Sequence, residues 1–425
     1  MRARSPQSSM VPVLVAGSIV TAVTLGVRAT MGLFGPEIDT GLGVGIDTFA
    51  LTIAAQNLVW GLAQPFAGAI ADRFGAVRVL MAGAVTYGAG LLVMGSASGP
   101  MGLYLGGGLI VGLGMSAASF AVVLAAMSKL IEPSRRSMAL GIATAFGSFG
   151  HFVLVPVTGV LIRAFGWRTT LTVLAVIAAS IVLMVRPLRT GTLLSDDPAT
   201  DTSGTAPLRG VVATAARHRD YLLINCTFFV CGFHVTFIAV HLPKSLVDAG
   251  HSTAIATWSL SLIGLFNIVG AFVAGYLGSR IDKSRLLTVI YATRAVAFAA
   301  VVVLPAAPEV ALGFGALMGI VWLASVPLTS GIVLGQFGAR YAGTLFGLVF
   351  LSHQLGAFAG AYGGGLARKL TGSYDLWWWI AAALGIAAAL IHFKISERPV
   401  ANEPADAAPT GSHPGAQPVV PAETV

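Results

Sequence analysis

Two arginines carry the strongest chemical signal in this chain. Arg28 falls in the first long apolar segment and Arg294 in the ninth, and no Asp or Glu lies at comparable depth in any such segment. A full charge in apolar surroundings is expensive, so it normally faces a bundle interior or a water-filled path. A guanidinium can hold a carboxylate through two parallel hydrogen bonds. Two deep cations without a carboxylate of their own predict a site for an anion that arrives from outside the chain. Each also has a plainer reading: Arg28 could pair with Glu37 or Asp39, and Arg294 could satisfy helix-end carbonyls.

A proton-linked process needs a group that titrates, and without deep carboxylates histidine is the natural one. His234 and His353 lead, with His241 on nearly the face of His234 and His151 in the fifth segment. Asn57, Asn267 and Gln354 could orient a carboxylate, or could hold helices together. Trp60, Trp322 and the scattered Phe residues read as packing, or as an aromatic wall for an organic substrate, and Cys226 and Cys231 as small core residues at no metal or disulfide spacing.

Only a membrane accommodates the segments that carry these groups. The 425 residues are 56% hydrophobic and 10% charged, whereas a soluble domain is about 25% charged. Mean hydropathy is +0.84. Apolar runs long enough to cross a hydrocarbon core of about 30 Å recur from end to end. They predict an all-α membrane protein with twelve spans, near 11–34, 47–70, 77–97, 101–128, 138–162, 168–187, 219–244, 254–279, 284–304, 309–334, 342–368 and 374–395. The run from Val11 is too long for a signal-peptide core and reads as the first span. A hydrophilic linker, 188–218, separates an N-terminal six-helix half (1–187) from a C-terminal one (219–397). The tail, 398–425, is rich in Pro, Ala, Thr and Glu and reads as disordered.

The net charge of +8 comes from loops rather than from a nucleic-acid-binding patch. Eighteen of the 25 Lys and Arg fall on the side of the termini, five on the other, and the remaining two are Arg28 and Arg294. That bias places both termini in the cytoplasm, and Trp377, Trp378 and Trp379 at the outer interface among lipid headgroups. There is no phosphate-binding Walker loop and no His/Cys/carboxylate cluster at ligand spacing, so no enzyme activity, cofactor, metal or direct ATP drive is expected.

The halves repeat. Gly68-Ala-Ile-Ala-Asp72-Arg73-Phe-Gly75 lies between spans two and three, and Gly278-Ser-Arg-Ile-Asp282-Lys283 lies between spans eight and nine. Parallel six-span repeats mark one large transporter architecture. Glycines crowd span four (Gly106, Gly108, Gly112, Gly114) and recur every fourth residue in span eleven (Gly356, Gly360, Gly364), a spacing that lets helices approach closely.

The Gly68–Arg78 loop resembles the signature of the major facilitator superfamily, Gly-x-Leu-Ala-Asp-Arg-x-Gly-Arg-Arg. Gly68, Asp72, Arg73 and Gly75 match and Ala76 departs. The resemblance implies two pseudo-symmetric six-helix halves, and gating of the cytoplasmic side by Asp72 and Arg73, with Asp282 and Lys283 as their counterparts. Within the superfamily, the chain resembles bacterial members of the monocarboxylate-porter and oxalate/formate-antiporter group. Gly26-Val27-Arg28-Ala-Thr-Met-Gly32-Leu-Phe34, Ser134-Arg135-Arg136-Ser-Met-Ala-Leu-Gly141 and Thr371-Gly372-Ser373-Tyr374-Asp375 carry the likeness. Relatives in that group often have a basic residue where Arg28 stands, and commonly a substrate-binding arginine where Ala271 stands here.

This resemblance implies a monomeric secondary transporter in the bacterial cytoplasmic membrane. It would move a small organic anion, a monocarboxylate, by alternating access with proton symport. Arg28, Asn57, Asn267, Arg294 and Gln354 are the candidate binding residues, and His234 and His353 the proton-coupling ones. The alternative is a proton-antiport efflux carrier for drugs or a toxic solute such as a metalloid, favoured by Ala271 and the Phe-rich spans.

Overall fold

Helices follow from the need to pair every backbone N–H and C=O inside lipid without help from water. The computed structural model describes residues 7–188 and 208–399; most of the linker and the tail lie outside the described residues. Every regular element among the described residues is helical. Ten helical stretches are long and apolar enough to cross a membrane. Ile46–Phe74, with 29 residues, adds another, since it extends about 43 Å at about 1.5 Å per residue. The 47-residue helix Pro133–Ala179 supplies two crossings, because Gly166 at φ 77° breaks it. Among the described residues the total is twelve spans, the number expected from the sequence.

The spans used below are span one (Gln7–Ala29), two (Ile46–Phe74), three (Ala76–Gly95), seven (Arg219–Asp248), eight (Thr253–Gly278), nine (Lys283–Val303), eleven (Ala339–Thr371) and twelve (Asp375–His392). Span five is the part of Pro133–Ala179 before Gly166. Two spans are less regular than the sequence suggests. Span four runs through Pro100–Leu103, a widened π-turn at Tyr104–Ile110 and Val111–Ala117, then restarts as Phe120–Leu130 with the Ser119 hydroxyl accepting from the N–H of Val122. Span ten stops at Val321 and resumes at Ser325.

Glycine spacing is spent on close approach. A Cβ at Gly356 would sit 1.9 Å from the carbonyl oxygen of Phe229, and one at Gly360 2.4 Å from that of Phe233. Span seven answers with Gly232, where a Cβ would lie 1.8 Å from the oxygen of His353. Spans seven and eleven therefore touch backbone to backbone.

The two halves meet at one end and part at the other. At the end away from the termini, Lys369 Nζ pairs with Asp47 at 2.9 Å across spans eleven and two. Further in, a Cβ at Gly365 would meet Ala50, one at Gly61 would meet Gln354, one at Gly159 would meet Thr257 and one at Gly264 would meet His151. By the helical period, Gly347, Gly68, Gly141 and Gly275 lie on the same respective faces, nearer the termini. Each of those four has open space there. Spans two and eleven, and five and eight, thus diverge toward the terminal end.

At that terminal end Asp282 pairs with Arg285 at 3.1 Å. Lys283 Nζ reaches Glu397 at 3.4 Å, and the other oxygen of Glu397 accepts from the N–H of Ser284 at 2.7 Å. A carboxylate at the start of span nine complements the helix dipole, a role for Glu397 that no local motif announces. The Arg73 guanidinium is exposed and lies 5.3 Å from the ring of Phe74. Asp72 sits in the last turn of span two, with its side chain outside the described residues.

Candidate functional site

Arg28 occupies the last turn of span one, where helix-end carbonyls favour a cation. Its Nη2 donates to the Asn57 side-chain oxygen at 3.3 Å, and its guanidinium lies 5.0 Å from the Trp60 ring, a cation–π distance. Asn57 is fixed in turn, since its amide donates to the carbonyl of Ile53 at 2.8 Å. Trp60 is fixed by its indole N–H to Gln64 at 2.9 Å, and Gln64 donates to Ser119 at 3.0 Å. Among the described residues that single bond is Arg28's only protein hydrogen bond, and no carboxylate is at ion-pair distance. Four of the five N–H groups of a guanidinium are left for another acceptor, and the side chain is half-buried.

The opposite half closes on the same point. Gln354 donates to the backbone carbonyl of Asn57 at 3.1 Å, and its oxygen lies 3.0 Å from His353 Nδ1. His353 stacks on Phe350 at 5.7 Å, and Phe350 meets Trp60 edge-on at 5.4 Å. Arg28, Asn57, Gln354 and His353 therefore form one polar chain across both halves, walled by Trp60 and Phe350. The walls match the second of the two readings the sequence leaves for Trp60 and the Phe residues, an aromatic wall. Their signal is the four-residue spacing of Trp60 and Gln64, which lets one brace the other.

Arg294 and Asn267 lie elsewhere. Arg294 is fully buried. Its Nη2 donates to the carbonyls of Val321 and Trp322, both at 2.6 Å, and its Nε to Val321 at 3.2 Å. Nη1 reaches Cys231 Sγ at 3.5 Å and Nη2 reaches Ser325 Oγ at 3.5 Å. These donors are spent on the break in span ten, the helix-end reading of this arginine. Asn267 serves the same break: its oxygen accepts from the N–H of Leu323 at 3.0 Å while its amide donates to Ser148 of span five at 2.7 Å.

His234 is also apart from the polar chain. Its Nε2 is 2.9 Å from the carbonyl of Ala381, joining spans seven and twelve, and its ring packs 4.6 Å from Phe298. His241 and His151 likewise bond to the carbonyls of Ala361 and Leu260. Of the histidines singled out, His353 joins Arg28 through the hydrogen-bond chain, and His151 stands within electrostatic range of the Arg28 guanidinium. Among the described residues no cluster could hold a metal ion.

A twelve-span bundle of two halves, closed over a half-buried cation at its middle and parted toward one end, defines a secondary-transporter architecture. The chain belongs to the Major Facilitator Superfamily, whose family model matches residues 17–361, and it is a multi-pass membrane transporter. Among curated proteins it is similar to monocarboxylate transporter 13 of Bos taurus, with 25% identity over 88% of this chain and 87% of that one. It is similar to human monocarboxylate transporter 11, with 25% identity over 92% and 86% of the two chains. It also resembles the uncharacterized MFS-type transporter YcxA of Bacillus subtilis, with 24% identity over 77% and 80%. Among solved structures, a D-xylose-proton symporter aligns with TM-score 0.72 at 12% identity over 92% of this chain and 99% of that one. An inward-open structure of the xylose transporter XylE from E. coli aligns with TM-score 0.70 at 12% identity over 91% and 96%. At that identity the structures share the fold alone.

Proposed function

We propose that this transporter moves a small organic anion, a monocarboxylate, together with a proton across the bacterial cytoplasmic membrane. The observation that carries the reading is the contrast between the two deep arginines. Arg294 spends its donors on the protein, whereas Arg28 keeps four of five for an acceptor that the described residues do not supply. A carboxylate fits those donors in charge and in bidentate geometry. The names of the curated relatives support the same substrate class.

Both termini lie in the cytoplasm on this reading, because the Lys and Arg bias favours that side. The parted end then faces the cytoplasm, and the ion pair of Asp47 with Lys369 closes the outer end. The carrier works as a monomer, with the two halves rocking about the Arg28 chain and His353 relaying the proton.

Uptake of labelled pyruvate into proteoliposomes tests the reading. An inward proton gradient should drive pyruvate accumulation above the equilibrium level. Accumulation unaffected by the gradient would remove proton symport. Absence of flux for any carboxylate, with protection of cells against a toxic solute instead, would establish the efflux alternative.

A further inference from the structure

Arg294 is a fully buried cation in a region where the described residues offer no carboxylate. An uncompensated charge there is costly. One group capable of becoming an anion does lie against it. The Cys231 sulfur is fully buried, 3.5 Å from Arg294 Nη1 and 3.2 Å from the Ser325 hydroxyl. A guanidinium N–H donates to the sulfur, and the Ser325 hydroxyl lies beside it, either atom of that pair able to donate; a cation against a sulfur favours its thiolate.

The titratable and charged groups facing that sulfur come from several elements. Span nine contributes Arg294 and Tyr291, span ten the neutral Ser325, and span eleven the His353 imidazole. His234, one turn along span seven, faces Arg294 rather than the sulfur. The phenol of Tyr291 donates to the carbonyl of Thr227 at 2.8 Å. His353 is the group that joins both neighbourhoods, with Gln354 and Asn57 linking it to Arg28.

From this cluster we infer that Cys231 carries the coupling proton, as a thiolate paired with Arg294 in one phase of the cycle and a thiol in the other. The inference rests on the proton-coupled reading above and names its proton site. The step balances without a co-reactant: a proton from water passes by His353 to the sulfur, an S–H bond forms and no oxidation occurs. Protonation removes one negative charge from the core and leaves Arg294 uncompensated. A region made more positive by one unit, joined to the anion site through the polar chain, binds a carboxylate more tightly. Loss of the proton reverses the gain. That sign couples anion and proton in the same direction, as symport requires.

Two measurements test it. The first needs no substrate. In the Cys226→Ser protein, reconstituted in lipid, Cys231 is the remaining thiol of the chain, so the infrared S–H stretching band reports on it alone. That band should grow as pH falls from mildly alkaline to mildly acidic, and with Arg294→Gln it should be present throughout. A band of constant intensity in the parent protein overturns the inference. The second compares gradient-driven with counterflow uptake of pyruvate in Cys231→Ser. The ratio should fall at least about tenfold, with a flattened pH profile, and an unchanged ratio overturns the inference. If the wild-type protein moves no pyruvate, the carboxylate reading fails, while the infrared result still decides whether Cys231 exchanges a proton.

Discussion

Arg294 and Asn267 grip the two ends of a single peptide unit. Arg294 takes the carbonyl of Trp322 at 2.6 Å, and Asn267 takes the N–H of Leu323 at 3.0 Å. That unit lies in the break of span ten, where neither group has an intrahelical partner, and lipid offers none. Asn267 then reaches into the other half through Ser148, so the break, its clamp and the inter-half contact form one assembly.

Removing the clamp should be expensive. Arg294→Leu leaves the carbonyls of Val321 and Trp322 without their donors, and we expect a loss of about 3 kcal/mol in stability. Thermal unfolding in detergent checks this, with an unchanged midpoint as the contrary result. Arg294→Lys should recover only part, because one ammonium nitrogen replaces the Nε and Nη2 that together hold the break.

The inter-half bond is modest by comparison. A double-mutant cycle of Ser148→Ala and Asn267→Ala should give a coupling of about 0.5–1 kcal/mol in the same assay, in line with interhelical bonds in membranes. Additive single effects would show that the 2.7 Å contact contributes nothing to holding the halves together.

Lys369 and Asp47 are partly exposed, so their pair should contribute less than about 1 kcal/mol to stability. Its effect belongs to the balance between the two access states. In Lys369→Gln, spin labels on residues 43 and 372 should show a larger population of long distances than in the parent. Identical distance distributions would deny the pair a gating role.

Backbone contact between spans seven and eleven predicts a position-specific penalty. Gly356→Ala places a Cβ 1.9 Å from the oxygen of Phe229 and should cost about 1–3 kcal/mol. Gly347→Ala, in the same helix but facing open space, should be neutral or slightly stabilising. Equal effects on thermal stability at both sites would contradict the packing.

The apolar runs locate most of the spans, since each must be about as long as the bilayer is thick, while the more polar Ile46–Phe74 and the division of Pro133–Ala179 at Gly166 are settled by the helices themselves. The four-residue glycine spacing of span eleven likewise locates its contact face. Arg28 and Asn57 are legible together because both are polar groups deep in neighbouring spans. The fate of Arg294 is not: Gly319 and Pro327 mark a weak point in span ten, but nothing in the sequence says that Arg294 of another span supplies the donors there. Asn267 looks like a cavity residue for the same reason. Its role depends on which peptide unit packs against it, and only the assembled bundle decides that. Cys231 reads as a small core residue until Arg294, Ser325 and His353 arrive from three other spans.

Ligand-induced thermal stabilisation of the purified protein by a panel of monocarboxylates, beginning with pyruvate, measured with and without Arg28→Gln, tests the central claim most directly. The account predicts that wild-type protein is stabilised by a carboxylate and that Arg28→Gln weakens its apparent affinity at least about tenfold, or about 1.4 kcal/mol. Equal stabilisation of both proteins by the same carboxylate would contradict it.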